Sequence, residues 1–241
     1  MKNLFNIEGK RVLITGGTSG LGEMMVKGFS ENGAKVVFCG RNVDRGGIIV
    51  RSANAIFIKC NLMDGNEIEN LITKTSQILG GIDILINNAG IAPYNDAKYK
   101  DEIIATNLGA MIQLSSLCLP TMSPYSKIIN IASVAGIKPT NFNNYWYTVS
   151  KSGVIAFTKQ FAKKATRHQI NVNAIALGIF KTPMTKNVLN RFEKSVLSTI
   201  PACRFGQVKD IVGTAIFLAS EASNYIYGET ICLDGGSVNC V

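Results

Sequence analysis

Seven short runs of β-branched and aliphatic residues, separated by longer segments of helical period, constrain this fold more than any other feature. The runs are Arg11–Thr15, Ala34–Cys39, Ala55–Cys60, Ile82–Asn87, Lys127–Ala132, Ile170–Ala176 and Thr230–Leu233. The first six are almost continuously apolar, as strands covered on both faces must be. Helical periodicity fills the intervals near Leu21–Asn32, Asn66–Leu79, Ala97–Leu119, Tyr145–Arg167 and Val208–Ala219. This alternation predicts an α/β fold: a doubly wound, seven-stranded parallel sheet with right-handed crossovers and helices on both faces. No repeat, low-complexity tract or Pro/Gly/Ser linker divides the 241 residues, so a single domain over residues 1–241 is expected.

Two connections depart from the regular pattern. Asn42–Asn54, with Gly46-Gly47 in its middle, leaves room for only a short helix of low propensity. Lys181–Gly206 is long and contains no strand. Its place after the sixth run, at the carboxyl edge of the sheet, predicts a substrate lid at about residues 181–206.

Composition removes several function classes. With 46% hydrophobic and 17% charged residues the chain buries a core and is not disordered. Apolar runs such as Ala215–Ala219 fall far short of the roughly 20 residues that span a bilayer. Met1–Lys10 does not lead into the ~7–15-residue apolar stretch of an export signal. A cytoplasmic protein without a membrane partner is therefore expected. Six scattered cysteines, none in a C-x-x-C pair, read as small buried hydrophobes in a reducing compartment. The single histidine, His168, lies in a charged stretch with Lys163, Lys164 and Arg167, which argues against a metal site or a Ser-His-Asp triad. A net charge of +9 favours acidic partners or substrates. The basic residues are dispersed and do not interleave with aromatics, so nucleic acid is not the expected partner.

The first strand runs directly into Thr15-Gly16-Gly17-Thr18-Ser19-Gly20-Leu21-Gly22, and a helix follows. A phosphate-binding glycine turn needs this context. Gly16 makes the tight turn, Gly20 lets the backbone approach a pyrophosphate, and Gly22 lets helix and strand pack closely. The helix N-terminus then offers free N–H groups to the phosphates. A plain glycine-rich turn is the competing reading. The second strand ends Phe38-Cys39-Gly40-Arg41-Asn42. A carboxylate there would hold the ribose 2′-OH of NAD(H), whereas Arg41 is placed to fork onto a 2′-phosphate. NADP(H) is favoured over NAD(H), against the alternative of a solvated turn arginine.

Further along stand Asn87-Asn88-Ala89-Gly90 after the fourth strand, then Asn107, Ser133 at the end of the fifth, and Tyr147-x-x-x-Lys151. A second Tyr-x-x-x-Lys occurs at Tyr94/Lys98, so that pattern alone carries little. With the glycine spacing and Leu233-Asp234-Gly235-Gly236 near the C-terminus, the ordered set resembles the short-chain dehydrogenase/reductase family over nearly the whole chain. The resemblance implies a Rossmann-type domain and an NAD(P)-dependent oxidoreductase that interconverts a ketone and a secondary alcohol. The i,i+4 spacing puts Tyr147 and Lys151 on one helical face. An unperturbed phenol has a pKa of ~10. A neighbouring ammonium, with the oxidised cofactor's positive ring, is expected to lower it.

By the same resemblance, Tyr147 would donate a proton to the carbonyl oxygen, and Ser133 would hydrogen-bond that oxygen. Lys151 would grip the nicotinamide ribose, and Asn107 would hold a water linking Lys151 to solvent. Asn61 and Leu62 would flank the adenine, Asn88, Ala89 and Gly90 would run along the cofactor, and Phe180 and Thr182 would lie near the carboxamide. Residues expected to face the substrate are Ala135, Asn141–Asn144, Trp146, Met184 and the lid around Leu189–Ile200. The chain departs from the family's pattern at Asn61, where Asp is usual, at Leu177-Gly178, where Pro-Gly is usual, and in two shortened segments. These lie before Asn54 and between Gly90 and Asn107.

The pattern is similar to 3-oxoacyl-carrier-protein reductases of fatty acid biosynthesis, for which an acidic, acyl-carrying partner would suit the +9 charge. A sugar-acid or other polyol dehydrogenase of the same family is the alternative. A non-catalytic dinucleotide-binding regulatory protein is the alternative from another class. A homotetramer or homodimer is expected by analogy, through the helices near Ala97–Leu119 and Tyr145–Arg167.

Overall fold

The computed structural model describes residues 3–139 and 144–240. Seven strands form one sheet: β1 Arg11–Thr15, β2 Lys35–Gly40, β3 Ala55–Lys59, β4 Ile84–Asn87, β5 Lys127–Ser133, β6 Asn171–Leu177 and β7 Thr230–Leu233. All neighbours pair in parallel, in the order β3-β2-β1-β4-β5-β6-β7. The winding reverses between β1 and β4, which opens a crevice at their carboxyl ends, where open α/β sheets bind ligands.

Successive strand residues point to opposite faces, and the two faces carry separate cores. Val12, Ile14, Ile86 and Ile129 face one layer, with Met25, Phe29, Ile211 and Leu218. These come from α1 Gly20–Glu31 and from Val208–Ala219 near the C-terminus. Leu13, Val37, Leu85 and Ile128 face the other, with Leu71, Leu114 and Phe161. The second layer draws on Gly65–Leu79, Ala110–Cys118 and Tyr145–Ala165.

The connection after β2 holds a ten-residue helix, α2 Val43–Ser52, despite its glycines. Asn42 caps it by accepting from Arg45 N at 2.9 Å. A Cβ on Gly46 would stand 2.7 Å from the Phe57 ring, so the glycine lets α2 lie against β3. Gly65–Leu79 is α3, capped by Asp64.

The single helix expected near Ala97–Leu119 is broken into pieces. A 3₁₀ turn, Asp96–Tyr99, leads into α4 Lys100–Ile104, a π-helical turn Ala105–Gly109, and α5 Ala110–Cys118. The π turn carries Asn107; such single-turn insertions re-aim a side chain and concentrate at functional sites. Asp96–Thr121 contains an 18-residue stretch apolar enough to cross a membrane by length and composition alone, with a mean hydropathy of 1.4. Ile103, Met111, Leu114 and Cys118 are buried within the protein, which accounts for that apolarity.

Tyr145–Ala165 is α6 and carries the Tyr-x-x-x-Lys pair. The segment expected to be a lid contains α7 Lys186–Leu197, broken at Phe192 (φ −133°). Leu189 and Val196 of α7 are buried while Phe192 is exposed. Val208–Ala219 is α8. Leu177 stays in the β6 ladder opposite Ser133 and Leu233, so strand geometry continues to the crevice where a proline would have ended it.

Candidate active site

The turn after β1 is built by close approach. Gly16 has φ +66°, and a Cβ on it would sit 2.8 Å from the Ala89 Cα. A Cβ on Gly22, one turn into α1, would sit 2.1 Å from the Gly16 carbonyl oxygen. Thr15 ties this turn to the segment after β4: its Oγ1 accepts from Asn88 N at 3.0 Å and Ala89 N at 3.1 Å. Asn88 Nδ2 donates back to the Thr15 carbonyl at 2.9 Å. Ser19, just before α1, makes no side-chain cap, so first-turn N–H groups remain available at the crevice.

At one end of the crevice Arg41 closes β2. Its Nη1 lies 3.6 Å from Glu102 Oε1 on α4, and its side chain is 64% exposed. Arg45 stands nearby, donating to Glu23 Oε2 at 2.6 Å. Asn61 is less free than the adenine role implies: its Oδ1 accepts from Met63 N at 3.3 Å, and its N donates to Glu67 at 2.8 Å. One carbonyl lone pair remains for a ligand.

At the other end stand Ser133, Tyr147 and Lys151. Ser133 ends β5, and its Oγ accepts from Ala135 N at 3.1 Å. Ser133 and Tyr147 line the same stretch of the cleft. Lys151 Nζ lies 5.9 Å from the Tyr147 ring centroid and donates to the Ile131 carbonyl at 2.7 Å. Asn107 is locked behind them: Oδ1 accepts from Ile91 N at 2.7 Å, and Nδ2 donates to Ile91 O and Ser150 Oγ, both at 3.0 Å. A Cβ on Gly90 would lie 3.3 Å from Asn107 Oδ1 and 3.5 Å from Lys151 Nζ, so the two side chains converge there.

The electrostatics differ from the sequence expectation. Burial pushes the Tyr147 phenol above its ordinary pKa, offset in part by the nearby Ser133 hydroxyl. Burial also pushes the Lys151 ammonium down to about 8. Desolvation penalises whichever form is charged, and here it outweighs the expected pull of the ammonium on the phenol. Tyr147 is thus held as the proton-bearing phenol, and Lys151 exchanges its proton close to neutrality.

A cleft of about 300 Å³ joins the two ends. It is lined by Gly16, Thr18, Ser19, Gly20, Leu21, Gly22, Arg41, Asn61, Leu62, Asn88, Ala89, Gly90, Phe180 and Thr182, together with Ser133, Tyr147 and Lys151. Every cofactor candidate drawn from the sequence therefore meets in one crevice, and Asn107 stands one residue beyond the lining Thr106. Glycines that a Cβ would jam, a free helix N-terminus and an arginine at the far end fit a dinucleotide.

The two Tyr-x-x-x-Lys patterns part company here, because Tyr94 is 96% exposed. Among the substrate-facing candidates, Met184 lines the cleft and Trp146 is 37% exposed. Ala135 and Leu189 are buried, and Ile200 borders a separate cavity with Gly235. Asn141–Asn143 lie outside the described residues. Sequence reasoning missed the tether made by Thr15 and the lining contributed by Ile91, Thr106, Pro183 and Thr185. Thr15 had a usable signal, a hydroxyl in the last strand position before the glycine turn; the others had none.

The family described as Enoyl-(Acyl carrier protein) reductase matches residues 16–238. The 3-oxoacyl-[acyl-carrier-protein] reductase FabG of Thermotoga maritima is 35% identical, covering 96% of this chain and 99% of that one. Gluconate 5-dehydrogenase of Gluconobacter oxydans is 34% identical, covering 97% and 96%. The solved Pseudomonas aeruginosa RhlG/NADP active-site complex superimposes with a TM-score of 0.88 at 29% identity, covering 98% and 99%. The glycine turn, the parallel sheet order and the Ser133–Tyr147–Lys151 cluster thus occur in a chain matched almost end to end by enzymes of one kind, and this protein belongs to the short-chain dehydrogenase/reductase family of oxidoreductases.

Proposed function

We propose that this protein is an NADP(H)-dependent ketoreductase acting on 3-oxoacyl thioesters of a carrier protein or CoA, in fatty acid biosynthesis. The observation that carries the reading is the meeting of Ser133, Tyr147 and Lys151 at one end of a cleft whose other end is Arg41. Gly16, Ser19, Gly20 and Leu21 would hold the pyrophosphate, and Arg41 the 2′-phosphate. Asn61 and Leu62 would flank the adenine, and Phe180 and Thr182 the carboxamide. When bound, the nicotinamide supplies or accepts a hydride.

The protein's own part is to orient the carbonyl and to move a proton. Ser133 Oγ–H donates to the ketone oxygen and fixes its position. Tyr147 donates its phenolic proton to the same oxygen, and the raised phenol pKa keeps that proton in place until it is needed. Lys151, poised at about 8, lies behind the phenol and would also hold the nicotinamide ribose. Asn107 keeps the Ile91 backbone and Ser150 in register with Lys151 and would hold the water that links it to solvent. Two hydroxyl donors aimed at one oxygen suit a ketone, which gains a proton on oxygen, better than the carbon–carbon double bond of an enoyl substrate.

The substrate class rests on the Thermotoga relative and on the +9 charge, which suits an acidic carrier protein. A sugar-acid dehydrogenase is the second reading, favoured by the Gluconobacter relative at nearly equal identity. The whole chain would act as one catalytic domain, with residues 181–206 as its lid. A parallel bridge between Phe180 and Gly206 closes the base of that lid. A cytoplasmic homotetramer or homodimer completes the proposal, and the free state of all six cysteines suits a reducing compartment.

The test is parallel titration of the purified protein with NADPH and NADH, read by energy transfer from Trp146, the only tryptophan. Turnover is then assayed with an acetoacetyl thioester and with gluconate. Tighter binding of NADPH with thioester reduction supports the reading. Gluconate oxidation alone would transfer it to the sugar-acid class, and binding of neither dinucleotide would overturn it.

A further inference from the structure

The helix that carries Tyr147 and Lys151 begins without a cap of its own. Asn144, at the capping position of α6, makes no side-chain hydrogen bond to the first turn. Helix starts leave N–H groups that need acceptors, and here the acceptor comes from elsewhere. Asp96 Oδ2 accepts from Trp146 N at 2.7 Å and from Tyr147 N at 3.4 Å, across a separation of 50 residues for the first bond. Asp96 is only 4% exposed, and among the described residues it makes no ion pair. A buried carboxylate without a cationic partner is costly unless hydrogen bonds compensate it. The N-terminus of α6 supplies both those bonds and a favourable dipole.

A second contact joins the same two segments. Asp96 opens the 3₁₀ turn that leads into α4, and Lys100 at the start of α4 places its Nζ 6.0 Å from the Trp146 ring centroid. Residues 96–100 therefore hold Trp146 by its backbone and by its ring. They belong to the segment between Gly90 and Asn107, both of which stand at the cleft end that holds Lys151. An acceptor at residue 144 itself would have capped the helix without fixing it to anything else. A carboxylate arriving from this loop fixes the first turn, with the Tyr147 backbone, to the wall that also carries Asn107.

We propose that Asp96 is a positioning residue of the active site: it anchors the first turn of α6 to the loop after Gly90 and thereby sets the Tyr147 phenol in the cleft that Ser133 and Lys151 also line. The proposal rests on the reading of Tyr147 as proton donor. Misplacing a reacting group by about 1 Å costs on the order of 10²-fold in rate, so a lost anchor should show in turnover.

The test compares Asp96→Ala with Asp96→Asn in the full chain. Hydrogen exchange of the peptide covering residues 145–151 is read by mass spectrometry, and NADPH binding is read through Trp146. Turnover uses whichever of ethyl acetoacetate or gluconate the wild type accepts. In Asp96→Ala the first-turn amides should exchange about tenfold faster and kcat should fall about tenfold or more, with KM and NADPH affinity within about threefold. Asp96→Asn keeps an oxygen acceptor and should restore kcat to within about threefold of wild type. Unchanged exchange in Asp96→Ala overturns the anchor, whatever the kinetics. Faster exchange with unchanged kcat overturns the positioning role, as does an Asp96→Asn variant as slow as the alanine. A wild type that turns over neither probe overturns the proton-donor reading and this proposal with it, and the exchange data still show whether the anchor itself exists.

Discussion

Lys151 directs its Nζ at the Ile131 carbonyl, 2.7 Å away, while standing 5.9 Å from the centroid of the Tyr147 ring. The ammonium is therefore held by the sheet and not by the phenol, and Ser133 and Tyr147 line the cleft beside it. In the proposed reaction, proton donation then depends on the phenolic O–H of Tyr147. Tyr147→Phe removes that group with little change of volume. It should cost about 10²–10⁴-fold in turnover, the range expected of a general acid, and leave NADPH binding within about twofold. Steady-state rates beside a Trp146 titration check this, and a phenylalanine variant that stays active would remove Tyr147 from the mechanism.

Burial places Lys151 at about 8, below its ordinary value, and keeps the Tyr147 phenol above its own. In the proposed reaction, reduction consumes a proton from Tyr147 and draws on the charged lysine behind it. Both are in the required form at low pH, and Lys151 is the first to lose it as pH rises. The kcat/KM for ketone reduction should be level below about pH 8 and fall above it. Lys151→Arg keeps its charge throughout this range, so whatever activity it retains should show no bend near 8. A bend that persists in the arginine variant would assign it to another group.

Arg41 meets Glu102 at 3.6 Å with its side chain mostly in solvent, so a 2′-phosphate would compete with a weak internal partner. Exposed pairs of this kind contribute roughly 0–1 kcal/mol. Glu102→Gln should therefore tighten NADPH binding by about two- to fivefold and leave NADH unchanged. Arg41→Asp should shift the ratio of specificity constants toward NADH. If neither variant moves that ratio, Arg41 is a surface turn residue and the NADP(H) assignment loses its support.

Much of this fold was legible because its information is local. Val12, Leu13 and Ile14 are apolar in succession because both faces of β1 are covered, and that pattern survives in the bare sequence. Tyr147 and Lys151 are one helical turn apart, so spacing alone puts them together. What escaped reading depends on long-range pairing. Asp96 finds the backbone of Trp146 across 50 residues, and Lys127 finds Asn224 across 97. The π turn at Asn107 escaped for a different reason: one extra residue in a turn leaves the apolar period of its neighbours nearly intact. The phenol's upward shift was missed because desolvation depends on packing density, which spacing does not encode.

The glycine turn can be broken by a single methyl group. In Gly22→Ala the new Cβ would fall 2.1 Å from the Gly16 carbonyl oxygen and 2.6 Å from Asn88 Nδ2. Backbone must move to admit it, at about 1–3 kcal/mol, which lowers Tm by roughly 2–4 °C per kcal/mol in a chain of this size. Because the displaced atoms wall the end of the cleft proposed to hold the pyrophosphate, NADPH binding should fall by more than the stability loss implies. A thermal melt with and without NADPH checks both. An alanine variant that keeps the full ligand-induced rise in Tm would mean that the pyrophosphate lies elsewhere.

Lys127 opens β5 at the opposite, amino-terminal edge of the sheet, and it is only 3% exposed. Its Nζ donates to Asn171 Oδ1 at 2.8 Å and Asn224 Oδ1 at 2.6 Å, both neutral amides. Burial, with Lys10 nearby, brings it down to about 8, and Glu221 opposes the shift. The folded pKa then lies below the unfolded one, ~10.4. Between these values the unfolded chain binds the extra proton, so this residue makes stability rise with pH from about 8 to ~10.4. Below about 8 both states are protonated and the burial penalty is constant. Lys127→Met has nothing to titrate, though it leaves two buried amide oxygens without their donor. Its absolute stability is therefore a poor readout, and the slope is the informative one. Denaturant melts at intervals from pH 7 to 10 should show a steeper rise with pH in the wild type than in the variant. Equal slopes would mean that Lys127 is solvated well enough to keep its ordinary pKa, and that the Asn171–Asn224 pair holds a charge at no cost.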